Sequence, residues 1–400
     1  MLFNLIKKPT DSKLIFLSLS QSFRNLSASL LAFFSSIFIY RQFFLRTNEV
    51  GLSLLAVVLF NLVLYGSKLL SLSFAENMAL KRGLKKDIIL GDIYVVLSLL
   101  MFAFADQFIG LIWLGAIFWG FSIGFFWFGR HGLLSKISSK ESFGRCSGSF
   151  GALSLLMLLF VPFISGFLIE KFGYQTLFLA AIGFIILSLI AVSVIKEEKT
   201  HKDVRLNEIG KLFKTHKRMA LSYFSMGAIE AIYSIALLLF VFLSLETELR
   251  FGIFYSLSMI LVALANLVTG KLIDRKGKRA LIAYGAILSA IVWLGRFSTG
   301  VIVAFFFFDV IDRIAKTMVG LPLSVLSFEK ALEGKSTGRA MLFREIAITI
   351  GSLFACLVLV VIFILEVDLK VSFLFAAAFS LLPLLIVGRK KLLGEQVHGL

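Results

Sequence analysis

The sequence predicts an all-α membrane protein, with twelve transmembrane helices in two pseudo-symmetric six-helix bundles. Three observations carry that expectation. The chain of 400 residues is 59% hydrophobic and only 16% charged, with a mean hydropathy of +0.95. A water-soluble exterior of that size could not hide so much apolar surface. Several apolar runs exceed the roughly 18 residues that a helix needs to cross about 30 Å of hydrocarbon. Most of the 41 Lys and Arg sit in every second connection and at the two ends. Helices are expected rather than barrel strands, because the period-two alternation of a barrel is absent.

The spans follow in order. The first six are 14–40, 50–75, 88–106, 108–134, 147–169 and 174–195, each an apolar run closed off by charged or turn-forming residues. A polar stretch, "KEEKTHKDVRLNEIGKLFKTHKR", then interrupts the pattern. Within it Leu206, Ile209, Leu212 and Phe213 recur at helical spacing, which fits a short surface helix, although a solvated linker accounts for the composition as well. Six more spans cover 219–245, 251–271, 280–297, 300–328, 341–365 and 371–388. The expected organisation is therefore an N-terminal bundle over 1–195, a cytoplasmic linker over 196–218 and a C-terminal bundle over 219–400.

Charge placement sets the orientation. With the basic ends and basic connections inside, both termini are cytoplasmic and the protein is a multi-pass component of the cell membrane. The net charge of +17 then reflects topology rather than nucleic-acid binding. Cys146 and Cys356 fall in a connection and a span, so no disulfide is expected. The opening "MLFNLIKKPTDSK" is too short and too charged for a cleaved signal peptide. The halves echo one another: "SFGRCSGSF" opens the fifth span and "STGRAMLFR" the eleventh, which pairs Gly144–Arg145 with Gly338–Arg339. A duplicated six-helix unit is the natural inference.

Between the eighth and ninth spans lies "GKLIDRKGKR". Its glycines suit close helix approach and a tight turn, and its aspartate and arginine suit contacts to helix ends and acidic partners. This loop resembles the hallmark of the major facilitator superfamily, Gly-x-x-x-Asp-Arg-x-Gly-Lys/Arg-Lys/Arg. Gly270, Asp274, Arg275, Gly277, Lys278 and Arg279 meet every constrained position. The first-half counterpart, "ENMALKRGLKK", keeps Lys81, Gly83 and Lys85 but has Glu76 for the glycine and Leu80 for the aspartate. The resemblance implies a conformational latch that closes the cytoplasmic side, with the region of Gly144 and Arg145 as its partner. A Gly-rich antiporter pattern in the fifth span survives only as Gly148, Pro162 and Gly166.

The same resemblance implies that spans one, four, seven and ten line a central cavity. The sequence puts charges deep in those spans: Arg24, then Arg130 and His131, then Glu230, then Asp309, Asp312, Arg313 and Lys316. A charge at mid-membrane costs roughly 2.5–3.5 kcal/mol, so such residues face protein or water. On the tenth span the four charges fall within an arc of about 100° and pair as Asp309–Arg313 and Asp312–Lys316. The pairs either brace the helix or yield to a substrate or proton. Glu230 is the expected coupling-proton site, because a carboxylate in a low-dielectric cavity takes up a proton readily and a nearby cation opposes this. Arg24 is expected to face it across the cavity. Trp119, Trp127 and Arg130 share one face of the fourth span, where indoles could meet an apolar or aromatic substrate or ordinary neighbours.

No Gly-x-x-x-x-Gly-Lys-Ser/Thr loop, Cys/His cluster or nucleophile motif is present, so neither ATP, a cofactor, a metal nor enzymatic activity is expected. The resemblance implies a secondary transporter that works by alternating access; coupling to H+ or another ion, H+ being the first expectation, and a monomeric state in the lipid bilayer are expected alongside it. The mixed charges favour a small organic anion or zwitterion. Efflux of amphiphilic drugs by proton antiport is the first alternative, a non-transporting sensor or scaffold the second, and lipid translocation, with headgroups engaging Arg24, the third.

Overall fold

The computed structural model describes residues 9–137, 159–195, 209–333 and 337–387. Every regular element there is helical. The helices in chain order are α1 (Pro9–Ala32), α2 (Ser35–Thr47), α3 (Val50–Arg82), α4 (Leu84–Ala103), α5 (Leu111–Ile137) and α6 (Val161–Ser193). They continue with α7 (Ile209–Thr215), α8 (Lys217–Ile232), a π-helical turn (Tyr233–Leu237), α9 (Leu238–Leu245) and α10 (Glu248–Lys276). The last are α11 (Lys278–Ser298), α12 (Ile302–Glu333), α13 (Thr337–Ile364), α14 (Val371–Ser380) and α15 (Leu384–Val387).

These elements follow the expected spans. The first span is broken at Phe33–Phe34 into α1 and α2. The seventh is built from α8, the π turn and α9. Pro162 sits in the first turn of α6, where its missing N–H removes no helical hydrogen bond. At Gly173, φ 80°, that helix breaks, which separates the fifth span from the sixth. Among the described residues, seven helical stretches are long and apolar enough to cross a membrane, and Val371–Val387 is a shorter apolar one. Many large apolar side chains point outward from these helices, including Leu70, Phe74, Leu179, Ile291, Val303 and Leu357. That is the surface a hydrocarbon solvent requires.

Two turns repeat across the halves. Gly83 (φ 99°, ψ 155°) joins α3 to α4, and Gly277 (φ 71°, ψ 145°) joins α10 to α11. Both need the positive φ that only glycine adopts freely, so the degenerate first-half loop keeps the residue that makes the corner. Of the other expected latch residues, Lys278 and Arg279 are exposed at the start of α11. Gly144 and Arg145 lie outside the described residues, as do the side chains at Gly270, Asp274, Arg275, Gly338 and Arg339.

The chain divides into two compact units. The first holds Met1–Asn207, Leu238–Ser256 and Ser336–Leu342. Within it α3 and α4 pack along α5, and α1 along α6. Gly120 and Gly124 of α5 face Leu64, Lys68 and Ser71 of α3 so closely that a Cβ would collide with that backbone. Small residues four apart are how membrane helices gain van der Waals contact when lipid offers no hydrophobic drive.

The second unit holds Glu208–Leu237, Leu257–Lys335 and Phe343–Leu400. There α11 packs on α12 and α14, and α14 on α8. Helices α8 and α13 cross through a reciprocal glycine contact, with Gly227 against the Ile348 carbonyl and Gly351 against the Phe224 carbonyl. Helix α7 lies in the expected linker. It buries Ile209 and packs Phe213 on Phe343, ring centroids 4.7 Å apart, while Lys211 and Lys214 stay exposed. Its apolar stripe is therefore met by protein, and Leu206 lies outside the described residues.

Candidate functional site

Helix α12 carries Asp309, Asp312, Arg313 and Lys316 on one face, and the second unit closes around them. Both expected pairs form: Arg313 Nε is 2.8 Å from Asp309 Oδ2, and Lys316 Nζ is 3.4 Å from Asp312 Oδ2. A residue of α11 joins them. Arg296, wholly buried, places Nη1 3.2 Å from Asp312 Oδ2 and Nη2 4.0 Å from Asp309 Oδ1, with its guanidinium 4.4 Å above the Trp293 ring. Hydroxyls complete the shells. Tyr233 donates to Asp309 at 2.8 Å and accepts from Arg313 at 2.6 Å, while Ser258 also donates to Asp309. Ser289 donates to Asp312 at 2.8 Å and lies 3.2 Å from the Ser380 hydroxyl. Each buried carboxylate thus meets several donors, as a charge or polar group taken out of water requires.

One edge of this network is open. A cavity of about 230 Å³ is lined by Ser225, Met226, Glu230, Ser289, Lys316 and Ser380, with apolar wall from α11, α12 and Pro383. Glu230 Oε2 lies 3.8 Å from Lys316 Nζ, and their side chains are 62% and 31% exposed, unlike the buried aspartates. Lys316 also sits 4.1 Å from the centre of the Tyr233 ring. Tyr233 opens the π-helical turn that directly follows α8, and such turns concentrate at functional sites. Counting Glu230, three carboxylates meet three cations.

The first unit has its own buried pair. Arg24 Nη1 donates to Asp92 Oδ1 of α4, and Nη2 donates to the Ser122 carbonyl at 3.1 Å and hydroxyl at 3.2 Å. Ser188 donates to the other Asp92 oxygen at 2.7 Å and lies 2.9 Å from the Ser20 hydroxyl. The Arg24 guanidinium covers the Phe126 ring at 4.0 Å. Arg24 and Glu230 thus belong to different units, each with an ionic partner in its own. Arg130 donates to Gln21 and lies 5.4 Å from the Trp127 ring, which stacks on His131 at 5.1 Å. Trp119 packs edge-on against Phe60 and Phe102, at 6.2 and 5.9 Å.

A third ionic group ties distant parts of the first unit. Arg41 of α2 meets Glu248 at the start of α10 with both carboxylate oxygens, Nε to Oε1 at 2.5 Å and Nη2 to Oε2 at 2.9 Å. Tyr174 donates to Oε1 at 3.1 Å. Just beyond, Gly166 faces the Glu248 carbonyl and Gly252 faces the Pro162 carbonyl, so α6 and α10 touch backbone to backbone.

The family model of the Major Facilitator Superfamily matches residues 17–218, more than half of the chain. The chain belongs to that superfamily. Solved structures of similar fold include an auto-inhibited POT family peptide transporter (TM-score 0.73, 11% identity, 96% of this chain and 98% of that one). The human organic anion transporter MFSD10 (TETRAN) is similar at TM-score 0.69 and 12% identity, covering 96% of this chain and 100% of that one. A D-xylose-proton symporter matches at 0.66 and 11%, covering 92% and 95%. At such identity these likenesses establish the fold and no more. In sequence, 185 residues are 23% identical to the uncharacterized protein YqgE of Bacillus subtilis, covering 44% of this chain and 43% of that protein.

The superfamily and its fold are those of multi-pass membrane transporters, as the loop at 270–279 leads one to expect. The structure brings Glu230, Asp309, Asp312, Arg313 and Lys316 into one network. Arg24 and Arg130 lie on α1 and α5 of the other unit. Two members of these networks, Asp92 and Arg296, are not among the residues the sequence singles out. Asp92 was detectable as an acid within an apolar run. Arg296 stands two residues from the end of α11, where a basic residue reads as the edge of a span, and only its buried contact with Asp312 reveals its place.

Proposed function

We propose that the protein is a proton-coupled secondary transporter that moves a small organic anion or zwitterion across the cell membrane by alternating access, with both termini cytoplasmic. One observation carries this reading: the Glu230–Lys316 pair at the open edge of a network whose two aspartates are buried and paired. With Glu230 ionised, three acids balance three cations. A proton on Glu230 cancels one acid and leaves surplus positive charge centred on Lys316. An anionic substrate group restores the balance, and Lys316 Nζ is the donor within its reach. Proton and anion therefore favour each other's binding, which is the linkage that symport needs. A zwitterion adds an ammonium group, and the hydroxyls of Ser225, Ser289 and Ser380 at the cavity offer it acceptors. The volume of about 230 Å³ lies below the ~300–1,000 Å³ typical for drug-sized ligands, which favours a small solute over a bulky amphiphile.

In this reading the loop at 270–279 is the inner latch, working with Gly144–Arg145 and with Gly338–Arg339 of the second half. The corner at Gly277 supports it, since a positive φ there sets the angle between α10 and α11. The test is transport in liposomes under an imposed pH gradient, with a panel of organic anions, zwitterions and cationic dyes. Wild type is expected to concentrate an anion or zwitterion. Glu230→Gln should equilibrate the same solute without concentrating it, and Lys316→Gln should bind it more weakly. Accumulation by Glu230→Gln equal to wild type would remove the proton site, and movement of dyes alone would remove the substrate class.

A further inference from the structure

We infer that the second unit holds a binding site for the phosphate of an anionic phospholipid headgroup, at the junction of α7, α8 and α11. This site is separate from the Glu230 cavity, and the inference does not rest on the transport reading. A pocket of about 370 Å³ is lined by Lys214, Thr215, His216, Lys217, Arg218, Met219, Arg279 and Ile386. Among the described residues no acidic side chain lines it. Lys214, Lys217, Arg218 and Arg279 are exposed, and none of the four forms an ion pair among the described residues.

The arrangement repels itself. Helix α8 begins Lys217–Arg218 and α11 begins Lys278–Arg279, and neither has an acidic residue in its first turn. The N-terminal end of a helix carries about half a positive charge, so basic residues there are disfavoured and an anion is favoured. Two such ends beside four exposed basic side chains make this pocket a favourable seat for an anion. A phosphate diester is such an anion and leaves the guanidinium groups of Arg218 and Arg279 suitably hydrogen-bonded.

The surroundings favour a lipid over a free anion. One turn below Arg218 on the same helix, Leu221 is exposed, as are Tyr284 on α11 and Leu381 and Leu385 on either side of the α14–α15 junction. Charged groups at the rim of an apolar belt are placed where headgroups meet acyl chains. Helix α7, held by Phe213 on Phe343, brings Lys214 to the same pocket, so a bound headgroup would also fasten the linker to the second unit.

The experiment uses the full chain in nanodiscs of phosphatidylcholine, with or without phosphatidylglycerol. Native mass spectrometry counts retained lipid and thermal denaturation reports its effect. Wild type should retain phosphatidylglycerol selectively and unfold at higher temperature in its presence. Each basic residue near such a surface is worth a factor of about five in binding. Lys217→Gln/Arg218→Gln/Arg279→Gln should therefore lose retention by roughly a hundredfold, while Arg218→Lys/Arg279→Lys should keep most of it. Should the triple variant fail to fold, wild type alone still decides, because raised salt must strip the lipid from an exposed site of this kind. Retention that ignores salt, equal retention of the two lipids, or an unaltered count in a folded triple variant would overturn the inference. So would full protection by inorganic phosphate in phosphatidylcholine discs, which would make this a soluble-anion site.

Discussion

Replacing Arg296 with methionine removes the central cation of the second unit while nearly keeping its volume. The guanidinium is wholly buried, 3.2 Å from Asp312 and 4.0 Å from Asp309. At an effective dielectric near 20, those contacts are worth about 5 and 4 kcal/mol before desolvation. Relief from burying the guanidinium returns several kcal/mol of that sum, and removing one partner of a buried pair typically costs about 3–5 kcal/mol net. The two aspartates do not suffer equally. Asp309 keeps Arg313, Tyr233 and Ser258, whereas Asp312 keeps only Ser289 and the half-exposed Lys316. The loss should therefore concentrate on Asp312. Unfolding in detergent, followed by tryptophan fluorescence, should show Arg296→Met destabilised by about 3–5 kcal/mol. Adding Asp312→Asn should recover part of it, with a coupling of about 0.5–3 kcal/mol between the two sites. Lys316→Met serves as the contrast and should cost less than Arg296→Met, because Lys316 is partly exposed where Arg296 is wholly buried, and Asp312 keeps Arg296 and Ser289 in its absence. A wild-type stability for Arg296→Met, or strict additivity with Asp312→Asn, would refute the idea that Arg296 holds the network.

Two further outcomes follow from the packing and from the Arg41 group. Gly351→Ala should destabilise the second unit by about 1–3 kcal/mol, since the new methyl meets the Phe224 carbonyl with no flexible atom to yield, while alanine at Gly66, which faces open space, should be neutral in the same assay. Glu248→Gln should cost about 1.5–3 kcal/mol through its contacts with Arg41 and Tyr174, and Arg41→Gln added to it should cost little more, as a double-mutant cycle would show.

Much of this protein was legible because a bilayer imposes simple rules. Apolar runs of spanning length point to the class, and the loop at 270–279 points to the superfamily that the family model over residues 17–218 establishes. Spacing alone was enough to pair Asp309 with Arg313 and Asp312 with Lys316, because helical neighbours four apart must meet. The roles of those pairs were not legible in the same way. Asp309 and Asp312 are buried and saturated, whereas Glu230 and Lys316 face a cavity, and nothing in the order of residues distinguishes the two situations.

What the sequence determined by itself was what depends on local pattern: the apolar helical spans, the glycines that make the corners at Gly83 and Gly277, and which span bears which charge. Only the tertiary structure decided which charges on separate helices share a partner. Asp92 reaches Arg24 across 68 positions and Ser188 across 96, and Arg41 reaches Glu248 across 207. Such contacts depend on which faces of separate helices pack together, and that choice is made by shape complementarity among many apolar side chains of similar chemistry. The sequence names the charges, and packing assigns their company.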